Sequence, residues 1–194
     1  MGPNLKINLG CGQNPVPGYL NVDKYGEPEI LWDLEQFPWP WEDNSVEEIL
    51  LTHVLEHIGE ETGTHIKILK ELYRICRDGA LVRITVPHPR HDDFMNDPTH
   101  VRVITPAGLR CFSKKKNREW AEKKLSNSPL ALYHDIDFDI SDILLDLDEP
   151  WLSRYRKKEI TDIELDTAAR QFNNVIKQVR ITLKAVKSSS APNG

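Results

Sequence analysis

Lys6-Ile7-Asn8-Leu9 is a short apolar strand candidate that runs without a break into Gly10-Cys11-Gly12. A glycine turn placed directly after a first strand lets the main chain approach a ligand closely. The next strand candidate, Leu20-Asn21-Val22-Asp23, ends on an acid 11 residues past Gly12. An acid in that place can accept hydrogen bonds from a ribose diol, although in dinucleotide folds it stands about 20 residues on. The shorter spacing leaves little room for a crossover helix. Gln13 to Gly18, with Pro15 and Pro17, reads as a loop. A third glycine of the G-x-G-x-x-G type is missing, because Pro15 stands there. Taken alone, the turn is open to two readings, a ligand cradle or an ordinary glycine turn.

The chain then repeats short apolar runs. Ile30 to Asp33 is a third strand candidate and Val46 to Thr52 a fourth, apolar enough to be buried on both faces. Between them Phe37-Pro38-Trp39-Pro40-Trp41 is rigid and non-helical, since proline fixes φ and restricts the residue before it. Trp39 and Trp41 read as wall or core. Glu60 to Arg77 predicts a helix, with Ile66, Leu69, Tyr73 and Cys76 as its apolar stripe and Gly79 as its stop. Ala80 to Val86 is a fifth strand, ended by Pro87. Strand, connection, strand, helix, strand is the pattern of an α/β fold with a parallel sheet.

After Pro87 the pattern changes. His88 to Arg102 is polar and without period. Thr105-Pro106 can open a helix as N-cap and first residue. Arg110 to Lys124 is basic, and Tyr133 to Leu147 alternates apolar residues with Asp135, Asp137 and Asp139, as a half-exposed strand does. Thr161 to Gln171 reads as a helix and Val175 to Val186 as a terminal strand. Residues 1–187 form one domain in this reading, with an acceptor-side insertion at about 88–160 and a frayed, disordered tail at 188–194.

Further features decide what the glycine turn is for. Asp33-Leu34 precedes the Pro-Trp segment, and Ser45 to Leu51 runs into Thr52-His53-Val54-Leu55-Glu56-His57. The series strand-Leu-Gly-Cys-Gly, acid, Asp-Leu-x-x-x-Pro, strand-x-His-Val-Leu-Glu-His resembles the class I S-adenosylmethionine (SAM)-dependent methyltransferases, of the small type-11-like group. The likeness covers about residues 5 to 87, with a looser echo at Asp97-Pro98-Thr99-His100-Val101-Arg102. It implies a three-layer Rossmann-like methyltransferase fold, α/β, mostly parallel with an antiparallel C-terminal strand. It implies SAM as cofactor, with Asn8, Leu9, Gly10, Cys11 and Gly12 against the methionine part. Asp23 would take the ribose hydroxyls, Asp33 and the main chain of Leu34 would face adenine, and His53 would line the methyl-donor side. Open α/β sheets bind ligands at the carboxyl ends of their strands, where all these segments end. The departure from the family is the short first crossover, Gln13 to Leu20.

His88 to His100 follows the fifth strand and so belongs over the same end of the sheet. It is a substrate lid with a general base, a structural polar loop turning at Asp97-Pro98-Thr99, or a metal site. Under the first reading His91 and His100 are the catalytic candidates, with Asp93 orienting them. His53 and His57 stand four apart, but no third ligand is evident for zinc, and no metal is expected there. Arg110 to Lys124 either binds an anionic acceptor or is a solvated helix paired with the acidic strand; the second is the plainer reading.

Composition narrows the partners. Lys plus Arg number 25 against 30 Asp plus Glu, a net charge of −5, which argues against a general nucleic-acid binder. The amino-methylating enzymes of nucleic acids usually carry Asn-Pro-Pro-Tyr or Asp-Pro-Pro-Tyr after strand four, where this chain has Thr52-His53-Val54-Leu55. A small-molecule or saccharide-type acceptor fits better. Three scattered cysteines, no leader-like segment and no long apolar run read as a reduced, cytoplasmic protein without a membrane span. Two other functions stay open: a SAM-binding scaffold without catalysis, and a nicotinamide-dependent oxidoreductase, which the missing third glycine disfavours.

Overall fold

The computed structural model describes residues 5–187. The elements run β1 (Leu5–Leu9), β2 (Leu20–Asp23), β3 (Ile30–Leu31), β4 (Val46–Thr52), α1 (Thr62–Ile75) and β5 (Cys76–Pro87). They continue with α2 (Asp92–Met95), α3 (Pro106–Leu109), α4 (Lys114–Glu122), α5 (Leu130–His134), β6 (Phe138–Leu147), α6 (Trp151–Arg156), α7 (Asp162–Gln171) and β7 (Ile176–Ala185). The expected tail, 188–194, lies outside the described residues.

All seven strands join one sheet in the order β3-β2-β1-β4-β5-β7-β6. The first five are parallel, and β7 runs antiparallel to both β5 and β6. This is the mostly parallel, helix-flanked sheet of the Rossmann-like methyltransferase fold. From β1 the chain moves outward to β2 and β3, then returns to β4 on the other side. The switch point therefore lies between β1 and β4, and a crevice opens beyond the carboxyl ends of these strands. Within the 88–160 segment β6 is an edge strand of the sheet; the remainder is loops and short helices.

The core follows from strands buried on both faces. Ile7, Leu9, Val22, Ile49, Leu51, Val82, Ile84 and Val86 are shut from solvent. Helix α1 packs there with Ile68, Leu69, Leu72 and Ile75, while Ile66 and Tyr73 stand at the margin. The expected stripe is thus rotated by one position. The helix also ends earlier than Gly79, because Cys76 already has extended dihedrals. Gly79, at φ +75°, sits instead in a bulge: Val46 pairs with Cys76, but Glu48 pairs with Leu81. Trp39 and Trp41 are core, meeting edge to face at 5.9 Å. Arg74 holds their loop by donating to the carbonyls of both tryptophans and to the Asp43 carboxylate. No helix among the described residues is long and apolar enough to cross a membrane.

Candidate functional site

The carboxyl ends of β1 to β4 enclose a cavity of about 300 Å³. Its lining draws on all four strands: Gly10 and Gly12, Asp23, Asp33 and Leu34, then His53 and His57. Six of the nine expected cofactor residues are thereby brought together. The other three are buried and do not line it. Asn8 is buried and donates to the Asn21 carboxamide at 2.9 Å; Asn21 in turn accepts from Val16 N–H at 2.8 Å. This pair anchors the proline loop that replaces the first crossover helix. Leu9 is core, and Cys11 is buried, with its thiol pKa raised chiefly by burial.

The two glycines differ. Gly10 has φ +68°, and a Cβ there would meet Val54 Cγ2 at 2.4 Å. Its smallness serves packing as well as the turn. Gly12 has φ +51°, and a Cβ there would meet nothing within 4 Å. The space over Gly12 is open. Its N–H donates to Asp23 Oδ2 at 2.8 Å, and Tyr25 N–H donates to Asp23 Oδ1 at 2.9 Å. A carboxylate has about four lone-pair directions, so Asp23 keeps acceptor capacity toward the cavity. Asp33 Oδ1 accepts from Glu35 N–H at 3.0 Å, closing the turn after β3. Leu34 O accepts from the Trp39 indole at 3.0 Å, which places that main chain at the wall. Trp32 also lines the cavity, and its buried indole N–H has no partner among the described residues. Its position next to Asp33 was the only sequence signal for it.

His53 stands at φ +55°, at the end of β4. Its Nδ1 faces the buried Glu56 carboxylate at 3.2 Å and its Nε2 faces Gln178 Oε1 at 3.1 Å. The Gln178 amide donates to Asp146 at 2.7 Å, which turns its oxygen toward the ring. Two acceptors thus face both nitrogens of one imidazole. The Glu56 hydrogen bond is the main cause of a raised His53 pKa, and burial opposes it.

The segment after β5 divides in two. Its first half is tied to the C-terminal elements. His91 is buried, accepts from Asp93 N–H at 3.0 Å as the N-cap of α2, and bonds Asp148 at 2.9 Å. Asp93 is exposed, 3.8 Å from the Lys177 ammonium. Neither lines the cavity. The second half docks on the turn after β4, where Val101 N–H and Arg102 N–H donate to Glu56 O at 2.8 and 3.2 Å. This brings His100 against His57, ring centroids 4.5 Å apart. His100 therefore touches the cavity wall, whereas His91 and Asp93 do not share in it. His57, singled out in the sequence only by its spacing from His53, is a cavity residue. Its signal was the spacing His53-x-x-x-His57, which has no helical meaning in a turn.

The basic stretch faces elsewhere. Lys114 pairs with Asp135 and Lys116 with Glu119, and Ser113 donates to Asp139 at 2.7 Å. A concavity of about 410 Å³ lies between these residues and β6, lined by charges of both signs. Lys114 thus reaches the acidic run at Asp135, ahead of β6, while Lys116 pairs within α4; none of the concavity's lining residues belongs to the glycine-turn cavity.

No protein-family model matches the chain, and no curated protein matches it. Solved structures do. A SAM-dependent methyltransferase from Archaeoglobus fulgidus is similar with a TM-score of 0.58 and 14% identity, over 94% of this chain and 86% of its own. One from Methanosarcina mazei gives 0.53 and 12%, over 97% and 95%. Another, from Thermotoga maritima, gives 0.53 and 13%, over 96% and 84%. At such identities the likeness is one of fold: the chain has the Rossmann-like fold of these methyltransferases.

Proposed function

We propose that the chain is a SAM-dependent methyltransferase acting on an O, N or C atom of a small-molecule or saccharide-type acceptor. The observation that carries this reading is the convergence of Gly12, Asp23, Asp33, Leu34 and His53 on one cavity at the switch point of the sheet. The residues suit the cofactor: open space over Gly12, an acid at the end of β2 with free lone pairs, and an unpartnered indole N–H beside it. Asp23 would hold the ribose hydroxyls, and Asp33 with the main chain of Leu34 the adenine edge. The cofactor supplies a methyl group on a positively charged sulfur, ready for displacement.

The protein's part is placement. A donor fixed along β1 and β2 and an acceptor held against the opposite wall gain most of their rate from alignment. The acceptor wall in this reading is the turn after β4 with the Asp97–Arg102 segment docked on it, so the acceptor meets His57 and His100. Of the three histidine-loop candidates, His100 is the one whose contacts support a place beside the acceptor. His91 and Asp93 are positioning residues in this reading, because His91 already bonds Asp148 and the α2 main chain.

Calorimetry on the purified chain tests the reading. SAM and its demethylated product should bind with micromolar affinity and NAD should not. Binding of NAD without SAM would replace the methyltransferase by a nicotinamide enzyme. SAM binding without turnover across acceptor panels would favour the scaffold.

A further inference from the structure

Beside the cavity lies a cluster with one group, the buried Glu56 carboxylate, that the methyltransferase reading leaves unexplained. Glu56, His57 and His100 each present a potential ligand atom, and the three atoms lie within 4.8 Å of one another. Glu56 is fully buried; its Oε1 faces His53, but its Oε2 has no partner among the described residues. A buried carboxylate oxygen without a donor is a costly and rare arrangement.

The hydrogen bonds around the two rings decide their tautomers. His100 Nδ1 lies 2.7 Å from Phe94 O, and a carbonyl can only accept, so the proton sits on Nδ1. Thr99 gives its hydroxyl hydrogen to Asp97 Oδ1 at 2.6 Å, so its oxygen accepts from His57 Nδ1 at 2.9 Å. Both neutral rings are left with an Nε2 lone pair. Histidines that ligate metals show this pattern: the far N–H donates to a carbonyl or a carboxylate-linked group, which fixes the ring and raises its basicity. The tilted contact of His57 with His100, and stacking of Phe94 on His100 at 5.1 Å, account for the rings' packing but not for the orphaned Glu56 oxygen. His100 Nε2 also lies 3.8 Å from Asp97 Oδ2, beyond hydrogen-bond length.

We propose that Glu56 Oε2, His57 and His100 bind one divalent first-row transition cation (zinc, manganese, iron or cobalt) at the rim of the cavity, with open positions for an oxygen of the acceptor. Two imidazoles and one carboxylate suit these ions better than magnesium or calcium, which prefer all-oxygen sites. Bonds of about 2.1 Å place ligand atoms roughly 3 to 3.5 Å apart, so modest side-chain rotations close the set. The main-chain bonds of Val101 and Arg102 to Glu56 O staple the two ligand-bearing segments together before any ion arrives. The cation site stands on this geometry alone; the acceptor's place on it rests on the methyltransferase reading.

The full chain, stripped with a chelator, is titrated separately with zinc, manganese, cobalt and magnesium by calorimetry, and cobalt loading is also followed by its visible absorption. One equivalent of a transition ion should bind at micromolar affinity or tighter, with magnesium much weaker. His100→Ala should weaken binding roughly tenfold or more and change the cobalt spectrum. Thr99→Val, which keeps all three ligands, should weaken it by roughly tenfold through loss of ring orientation. Glu56→Gln is informative only if circular dichroism shows it folded; His100→Ala and Thr99→Val do not depend on it. The proposal is overturned if none of the transition ions binds at about 1 mM, if magnesium binds best, or if a folded His57→Ala/His100→Ala variant keeps wild-type affinity. SAM binding is measured in the chelator-treated protein, so a failed cofactor reading and a failed cation site give different results.

Discussion

The Gly12 amide donates to the Asp23 carboxylate at 2.8 Å, so the first glycine turn and the end of β2 form one unit. The short proline loop between them is what permits this. Cys11 N–H and Gly10 N–H both bond Val22 O, folding the turn onto β2. A crossover helix is not needed to hold the turn in place.

Asp23 therefore has two tasks, ordering the turn and meeting the ribose. Asp23→Ala should weaken SAM binding by about 1.5 to 3 kcal/mol, roughly ten- to hundredfold. Asp23→Asn keeps one acceptor oxygen and should fall between. Calorimetry checks the affinity and a thermal melt checks the fold. Unchanged affinity in a folded Asp23→Ala protein would remove Asp23 from the ribose site.

Gly10 and Gly12 should fail differently. Gly10→Ala drives a methyl into Val54, 2.4 Å from its Cγ2, at a positive φ. The expected loss is about 2 to 4 kcal/mol of stability, from overpacking and left-handed strain together. Val54→Ala in the same chain should restore part of it. Gly12→Ala meets open space, so only the strain of about 1 to 2 kcal/mol should appear in stability. Its larger effect should be on cofactor binding, because the methyl projects into the space the ligand would use. Denaturant unfolding beside calorimetry separates the two outcomes.

What was legible in sequence was the half of the chain whose signals are local. Ile7, Leu9, Ile49 and Leu51 lie on strands buried on both faces, so continuous apolar runs marked them, and the residues at their ends fell at the crevice. The boundary of α1 was not legible, because Cys76 bonds Leu72 O while its own dihedrals are already those of a strand. The position of Gly79 suggested a helix stop, when it serves a bulge. The contacts of the histidine loop were not legible for another reason. Its partners, Asp148 for His91 and Glu56 for the Val101 and Arg102 amides, are distant in sequence, and no spacing rule names them. His57 was weighed only with His53, because its contacts come from Thr99 and His100, more than 40 residues away.

His91 tests whether the loop's first half is scaffold. It caps α2 and bonds Asp148 while almost fully buried. His91→Ala should cost about 1 to 3 kcal/mol, from the lost cap and an abandoned carboxylate. His91→Asn can still cap and should recover roughly half. Urea unfolding of the three proteins reads this directly. Full stability in His91→Ala with turnover abolished would instead make His91 a catalytic base.

His65 carries the sharpest pH dependence. It lies on α1, buried, with Nδ1 lacking a partner among the described residues. Burial, and secondly the nearby Arg102 charge, lower its pKa from 6.5 to about 4. A base with a depressed folded pKa stays neutral in the native state while the unfolded chain takes up a proton. Its contribution is therefore intact above pH 6.5 and is lost as pH falls toward about 4. The loss should reach about 3 kcal/mol, at 1.36 kcal/mol per pKa unit. Carboxylates titrate in the same range, so the comparison must be with His65→Gln, which keeps them and removes the imidazole. The stability difference between the two proteins should be constant from pH 8 to 6.5 and shift against the wild type by about 3 kcal/mol on reaching pH 4. Equilibrium unfolding at each pH supplies the curve. A difference that stays flat to pH 4 would mean the native state accepts the proton at His65, which the buried, unpartnered ring beside Arg102 should forbid.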